Sequence, residues 1–157
     1  MAGGIRLDIE VFGDRQISRR FTSAAATLKD ARPAWHRIVD LLLDEEAKQF
    51  DTEGGHASSG WTPLAPSTVA AKQALGLDPR ILHATGRLRE SLTERGAPDQ
   101  TVILAPAFMV FGSTVPYGKY HQTGGGRLPQ RKPFELTDRA RREAVRIIQR
   151  EIMGVTA

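Results

Sequence analysis

Four histidines, His36, His56, His83 and His121, are the side chains best suited to acid–base or metal chemistry in this 157-residue sequence. None stands in an HExxH pattern or in any other close pair with metal-ligand spacing. His121 lies near Tyr117 and Tyr120, and His83 precedes a candidate helix cap; capping, stacking or surface exposure is the simpler use of each. Ser58, Ser59, Ser67 and Ser91 lack the strand–turn–helix setting of a nucleophile elbow. Gly124-Gly125-Gly126-Arg127 invites comparison with a phosphate cradle. It lacks the Lys-Ser or Lys-Thr ending of a phosphate-binding loop, and it does not directly open a helix. Carboxylates gathered from distant positions, as in a metallonuclease, are left open by the sequence, but no compact spacing points to one. No catalytic residue, no metal and no cofactor is therefore expected, and the chain is not expected to be an enzyme.

Two other sets of residues carry more information. Trp61 is the one large apolar group in a glycine–serine loop. It either folds back as a plug beneath that loop or serves as an anchor buried by a partner; Pro63 and Leu64 beside it suit both. The second set is charged. Residues 1–126 hold 14 basic and 14 acidic side chains, whereas residues 127–157 hold 8 and 4, so the whole net charge of +4 lies in the C-terminal part. Such asymmetry suits a polyanion or an acidic partner, and a solvated helix face equally. Arg139, Arg142, Arg146 and Arg150 recur at spacings of three and four and so share one side of a helix. Asp44, Glu45 and Glu46, near the end of another helix, are candidate counter-charges on a neighbouring molecule.

The elements that must hold these residues follow from periodicity. Residues 5–12 alternate as a half-buried strand, and residues 15–29 carry a helical apolar stripe. A helix over 33–50 has the stripe Trp35, Ile38, Val39, Leu42, Leu43 and Ala47. Residues 51–66 have no period and predict a flexible arm. A short helix over 67–75 has Ser67 as its cap and Gly76 as its stop, and another, from Thr85 to about Arg95, has Thr85 as its cap. Residues 101–105 and 107–112 predict a hairpin. Residues 116–121 predict one helical turn, 122–133 a second loop, and Thr137 caps a helix to about Met153. The fold class expected is α+β, in a single domain over 1–157: a small antiparallel sheet of three to four strands packed by two long amphipathic helices, with extended loops. The absence of cysteine removes disulfides and thiolate chemistry and fits a reducing cytoplasm. The longest apolar cluster, residues 38–43, is far short of a membrane span, and the N-terminal residues do not predict a signal peptide; no membrane partner is expected.

Four motifs in order then point to a family. They are W-x-P-L-x-x-x-T-x-x-x-K from Trp61 to Lys72, I-L-x-x-T-G-x-L-x-x-S from Ile81 to Ser91, Y-x-x-x-H-Q-x-G from Tyr117 to Gly124, and Arg131-Lys132-Pro133-Phe134 ahead of the closing helix. Together, over roughly residues 35–153, they resemble the phage virion morphogenesis family, which includes the Mu-like G proteins and is similar to P2-like tail-completion proteins. The loop after His121-Gln122 is lengthened by Thr123 and the glycines, and residues 5–29 fall outside the best-matching part. The resemblance implies a structural protein of the virion, assembled in the host cytoplasm, that forms a ring of about six copies at the head–tail junction as a tail-completion or tail-terminator subunit. Its implied partners are its own copies, other neck, connector or tail-tube proteins, and non-specifically the DNA passing through the channel. On that reading Trp61, Pro63 and Leu64 reach a neighbour, and Asp44, Glu45 and Glu46 pair with Arg139, Arg142, Arg146 and Arg150 of an adjacent copy. The alternative from another class is a small basic nucleic-acid-binding protein that uses the C-terminal helix.

Overall fold

The computed structural model describes residues 30–153; the strand expected over 5–12 and the helix expected over 15–29 lie outside them. Seven elements follow in order: α1 (Arg32–Asp51), α2 (Pro66–Ala74), α3 (Arg87–Thr93), β1 (Gln100–Leu104), β2 (Met109–Ser113), α4 (Gly118–Thr123) and α5 (Asp138–Met153). The described residues thus form an α+β chain with five helices and one antiparallel pair of strands. The sheet is smaller there than the three to four strands expected, and two long helices covering such a sheet are not shown.

The local reasons are mostly visible. Thr137 Oγ1 accepts the Ala140 N–H at 3.0 Å and so caps α5 as its position predicts. Gly76, at φ +66, follows the end of α2 in the left-handed conformation that closes a helix. Two caps differ from expectation. The extended residue before α2 is Ala65, with Pro66 in the first turn, so Ser67 lies inside the helix. The residue before α3 is Gly86, at φ 78 with no side-chain cap, so Thr85 does not cap that helix. The hairpin shifts because Ala105 to Phe108 make its turn, closed by Ala105 N–H donating to Phe108 O at 2.9 Å, with Pro106 at the favoured second position.

The described residues group into two compact units. One comprises residues 30–40, Val102–Phe111 and 142–153. Ala31, Ala34, Trp35, Ile38, Val39, Met109 and Ile148 are buried in it. The Trp35 indole donates to Ala105 O at 2.9 Å, Ala31 N–H donates to Pro106 O at 2.8 Å, and Arg37 pairs with Glu151 at 2.9 Å. The other comprises Leu41–Thr101 and Gly112–Arg141. Its buried apolar residues are Leu42, Leu43, Phe50, Trp61, Ile81, Leu88, Leu92, Val115 and Ala140, each full side chain worth about 1.5–3 kcal/mol.

Candidate assembly site

Residues 51–66 are not an arm held out from the body. Trp61 is only 7% exposed, and its own chain covers it. Its indole N–H donates to Lys132 O at 3.0 Å, and its ring meets Phe50 edge-on at 5.4 Å between centroids. Of the two readings of Trp61, the structure has the plug. The segment ahead of it is shaped to admit the ring. Glu53 and Gly54 turn left-handed at φ 46 and 87, and a Cβ on Gly54 would lie 2.6 Å from Trp61 Nε1. Only glycine fits there. Gln49, fully buried, ties the loop down by accepting Ala57 N–H at 3.0 Å and donating to Lys132 O at 3.4 Å. Pro63 remains exposed and Leu64 half-buried.

The four sequence motifs converge in the second unit. Arg131 Nε donates to Thr62 O at 2.6 Å and its Nη2 to Pro63 O at 3.1 Å, which fastens the last motif to the first. Arg131 N–H donates to His121 O at 2.9 Å, and the Gln122 amide clamps Phe134 by accepting its N–H at 3.1 Å and donating to its carbonyl at 2.8 Å. His83 stacks edge-on against Phe50 at 5.7 Å and bonds Ile81 O through Nδ1 at 2.8 Å. Ser91 Oγ donates to Leu88 O at 2.8 Å and meets Ser113 Oγ at 2.7 Å. Burial and the neighbouring Arg131 hold His121 below the usual histidine range. None of these histidines joins a cluster of metal-binding groups among the described residues.

The charged residues separate into two kinds. Asp44 is exposed and pairs with Lys48 one turn on. Glu45 and Glu46 are not the exposed counter-charges the sequence suggested; both face inward, 5% and 0% exposed. Glu45 Oε2 accepts from Thr137 Oγ1 at 2.7 Å and lies 3.0 Å from His56 Nε2, so it locks the start of α5. Glu46 has both oxygens buried without a completed hydrogen bond among the described residues. Burial pushes its carboxyl well above the usual range; the main chain of Glu135 opposes this, and the charges of Glu45 and Glu135 add to it. The inward placement follows from helical phase, because residue 46 is four past Leu42 and seven past Val39. Arg139, Arg142, Arg146 and Arg150 are all exposed along one side of α5. Arg146 and Arg150 share Glu143, at 3.2 and 3.9 Å, while Arg139 and Arg142 make no ion pair among the described residues.

No described helix is long and apolar enough to cross a membrane. Searches of curated proteins and of solved structures each return no match. A family model does match, over residues 13–157, so it takes in residues 13–29 of the 5–29 segment that the motifs alone had left outside. By that match, and by the motifs gathered around Trp61 and Arg131, the chain belongs to the phage virion morphogenesis family.

Proposed function

We propose that the protein is a structural subunit of the bacteriophage neck, a tail-completion or tail-terminator protein that closes into a ring of its own copies at the head–tail junction. Membership of the virion morphogenesis family is the observation that carries the reading. A ring needs two different complementary surfaces on each subunit. The exposed side of α5, with Arg139 and Arg142 unpaired among the described residues, offers one. Asp44 is the exposed acid of the trio on α1 and the candidate counter-charge; Glu45 and Glu46 are committed inside the fold. Pro63 and Leu64, held beside the buried Trp61, extend the contact surface without an unfolded arm. Six copies, contacts with other neck, connector or tail-tube proteins, and loose contact with passing DNA complete the proposal.

The experiment is electron microscopy of particles made without this protein. The expected result is filled heads and tails left unjoined, or tails of abnormal length. Normal particles would remove the role. The four exposed arginines of α5 favour one second reading, direct binding of nucleic acid. Binding driven by phosphate falls steeply with salt, whereas ring closure depends on protein concentration and persists without DNA.

A further inference from the structure

A cavity of about 520 Å³ opens within the second unit, in the size range of sites that seat a small ligand or a partner's side chains. Lys72 of α2, His121 of α4 and Arg131 line it, with Leu64, Leu82 and Tyr117 as apolar wall. No aspartate or glutamate is among the lining residues. Arg87 also lines the cavity, but Asp99 already holds its guanidinium through contacts of 2.5 and 2.7 Å. Lys72 and Arg131 are different. Lys72 donates to Arg80 O at 2.6 Å, and Arg131 gives its Nε and Nη2 to carbonyls; neither has an ion pair among the described residues. Asp78 and Glu53 act on Lys72 from outside the lining, and each is engaged elsewhere, Asp78 with Arg80 at 2.7 Å and Glu53 with Ile81 N–H at 2.7 Å.

Arg131 is 6% exposed, and a guanidinium buried that far without a counter-charge is a standing cost to the fold. Three further features surround the same space. His121 keeps a buried Nδ1 with no hydrogen-bond partner among the described residues. Leu82 is left-handed at φ 61, a conformation that residues with a Cβ hold only where the surroundings enforce it, and one that collects at ligand sites. Gly86, at φ 78, brings bare backbone to the lining. Two cations short of anions beside an apolar wall fit a carboxylate attached to an apolar neighbour. A bare phosphate would leave the wall unused, and a guanidinium with little exposure suits a single inserted side chain better than the backbone of a duplex.

We infer that this cavity captures an acidic peptide segment of a neighbouring virion protein, its carboxylate reaching Lys72 and Arg131 while the adjoining apolar side chain packs on Leu64, Leu82 and Tyr117. The source of the peptide rests on the assembly role proposed above; the chemistry of the cavity does not.

The test is a nuclear magnetic resonance titration of the full chain with N-acetyl-Leu-Glu-N-methylamide, its Leu-Gln counterpart, inorganic phosphate and a short DNA duplex as separate probes. The Leu-Glu peptide is expected to shift the Leu82 and Gly86 amides and the His121 ring in a saturable way. The Leu-Gln peptide is expected to bind at least about tenfold more weakly, and Lys72→Met to weaken Leu-Glu binding by a similar factor, since bonds to ionised acceptors are the strong ones. An equal response to the two peptides overturns the inference. So does phosphate acting as well as Leu-Glu, displacement by the duplex, or no saturable shift. If Lys72→Met does not fold, the two peptides on the unaltered chain decide alone. A failed titration leaves the particle phenotype untouched, and normal particles would leave the titration standing, so the two failures are distinguishable.

Discussion

Glu46 sits where a carboxylate is hardest to keep ionised. It is fully buried, neither oxygen completes a hydrogen bond among the described residues, and Glu45 is its sequence neighbour. Burial is the largest cause of its raised pKa. A carboxyl whose value in the fold exceeds its value in the unfolded chain binds more protons when folded. Its contribution to stability is therefore whole below the ordinary value of 4.5 and is lost as pH rises through the raised one. Glu46→Met, of similar length and without charge, should accordingly stabilise the protein at pH 7.5 by about 1–3 kcal/mol, the cost of an unpaired buried polar group. The gain should shrink as the pH falls toward 4.5. Urea denaturation at a series of pH values measures this; a gain independent of pH, or a loss at pH 7.5, would contradict the account.

The segment 51–66 shows at the scale of an element what the sequence can and cannot convey. Helices α1 and α5 were legible because their apolar spacing and the Thr137 cap are local signals, and the cap is present at 3.0 Å. The loop was not, because its order comes from bonds that span the chain: Trp61 to Lys132, Arg131 to Thr62 and Pro63. Nothing in a glycine–serine composition announces a partner some seventy residues on. Gly54 was the one local hint, since a glycine is what a closely approaching indole requires. The same geometry changes what Trp61→Ala does. An anchor waiting for a neighbour would leave the free chain intact when removed. A buried plug leaves a cavity, and a loss of about 3–5 kcal/mol is expected in the isolated protein. Thermal or urea unfolding of the free chain decides between them, with unchanged stability counting for the anchor.

At the scale of the molecule, the four motifs were readable as a family signature over 35–153, and the family match extends the relation to residues 13–157. The surface chemistry of assembly was only half readable, because exposure depends on packing that charge counts do not report. Asp44, Glu45 and Glu46 form one acidic run in the sequence, yet a single member faces solvent. That member and the arginines of α5 make a charge-swap test possible. An exposed pair contributes about 0–1 kcal/mol, too little to see in one contact. The proposed ring would repeat each contact, so a loss of about 0.5 kcal/mol per interface, taken around the proposed six copies, approaches about 3 kcal/mol. Arg139→Glu with Arg142→Glu should therefore lower the ring fraction measured by light scattering at fixed protein concentration. Asp44→Lys should do the same, and the three changes together should recover part of it. The recovery should weaken above physiological salt, where screening acts within about 8 Å. Additive losses with no recovery would place the contact of Asp44 elsewhere. A loss of duplex binding with rings unchanged would instead assign the arginine side of α5 to DNA.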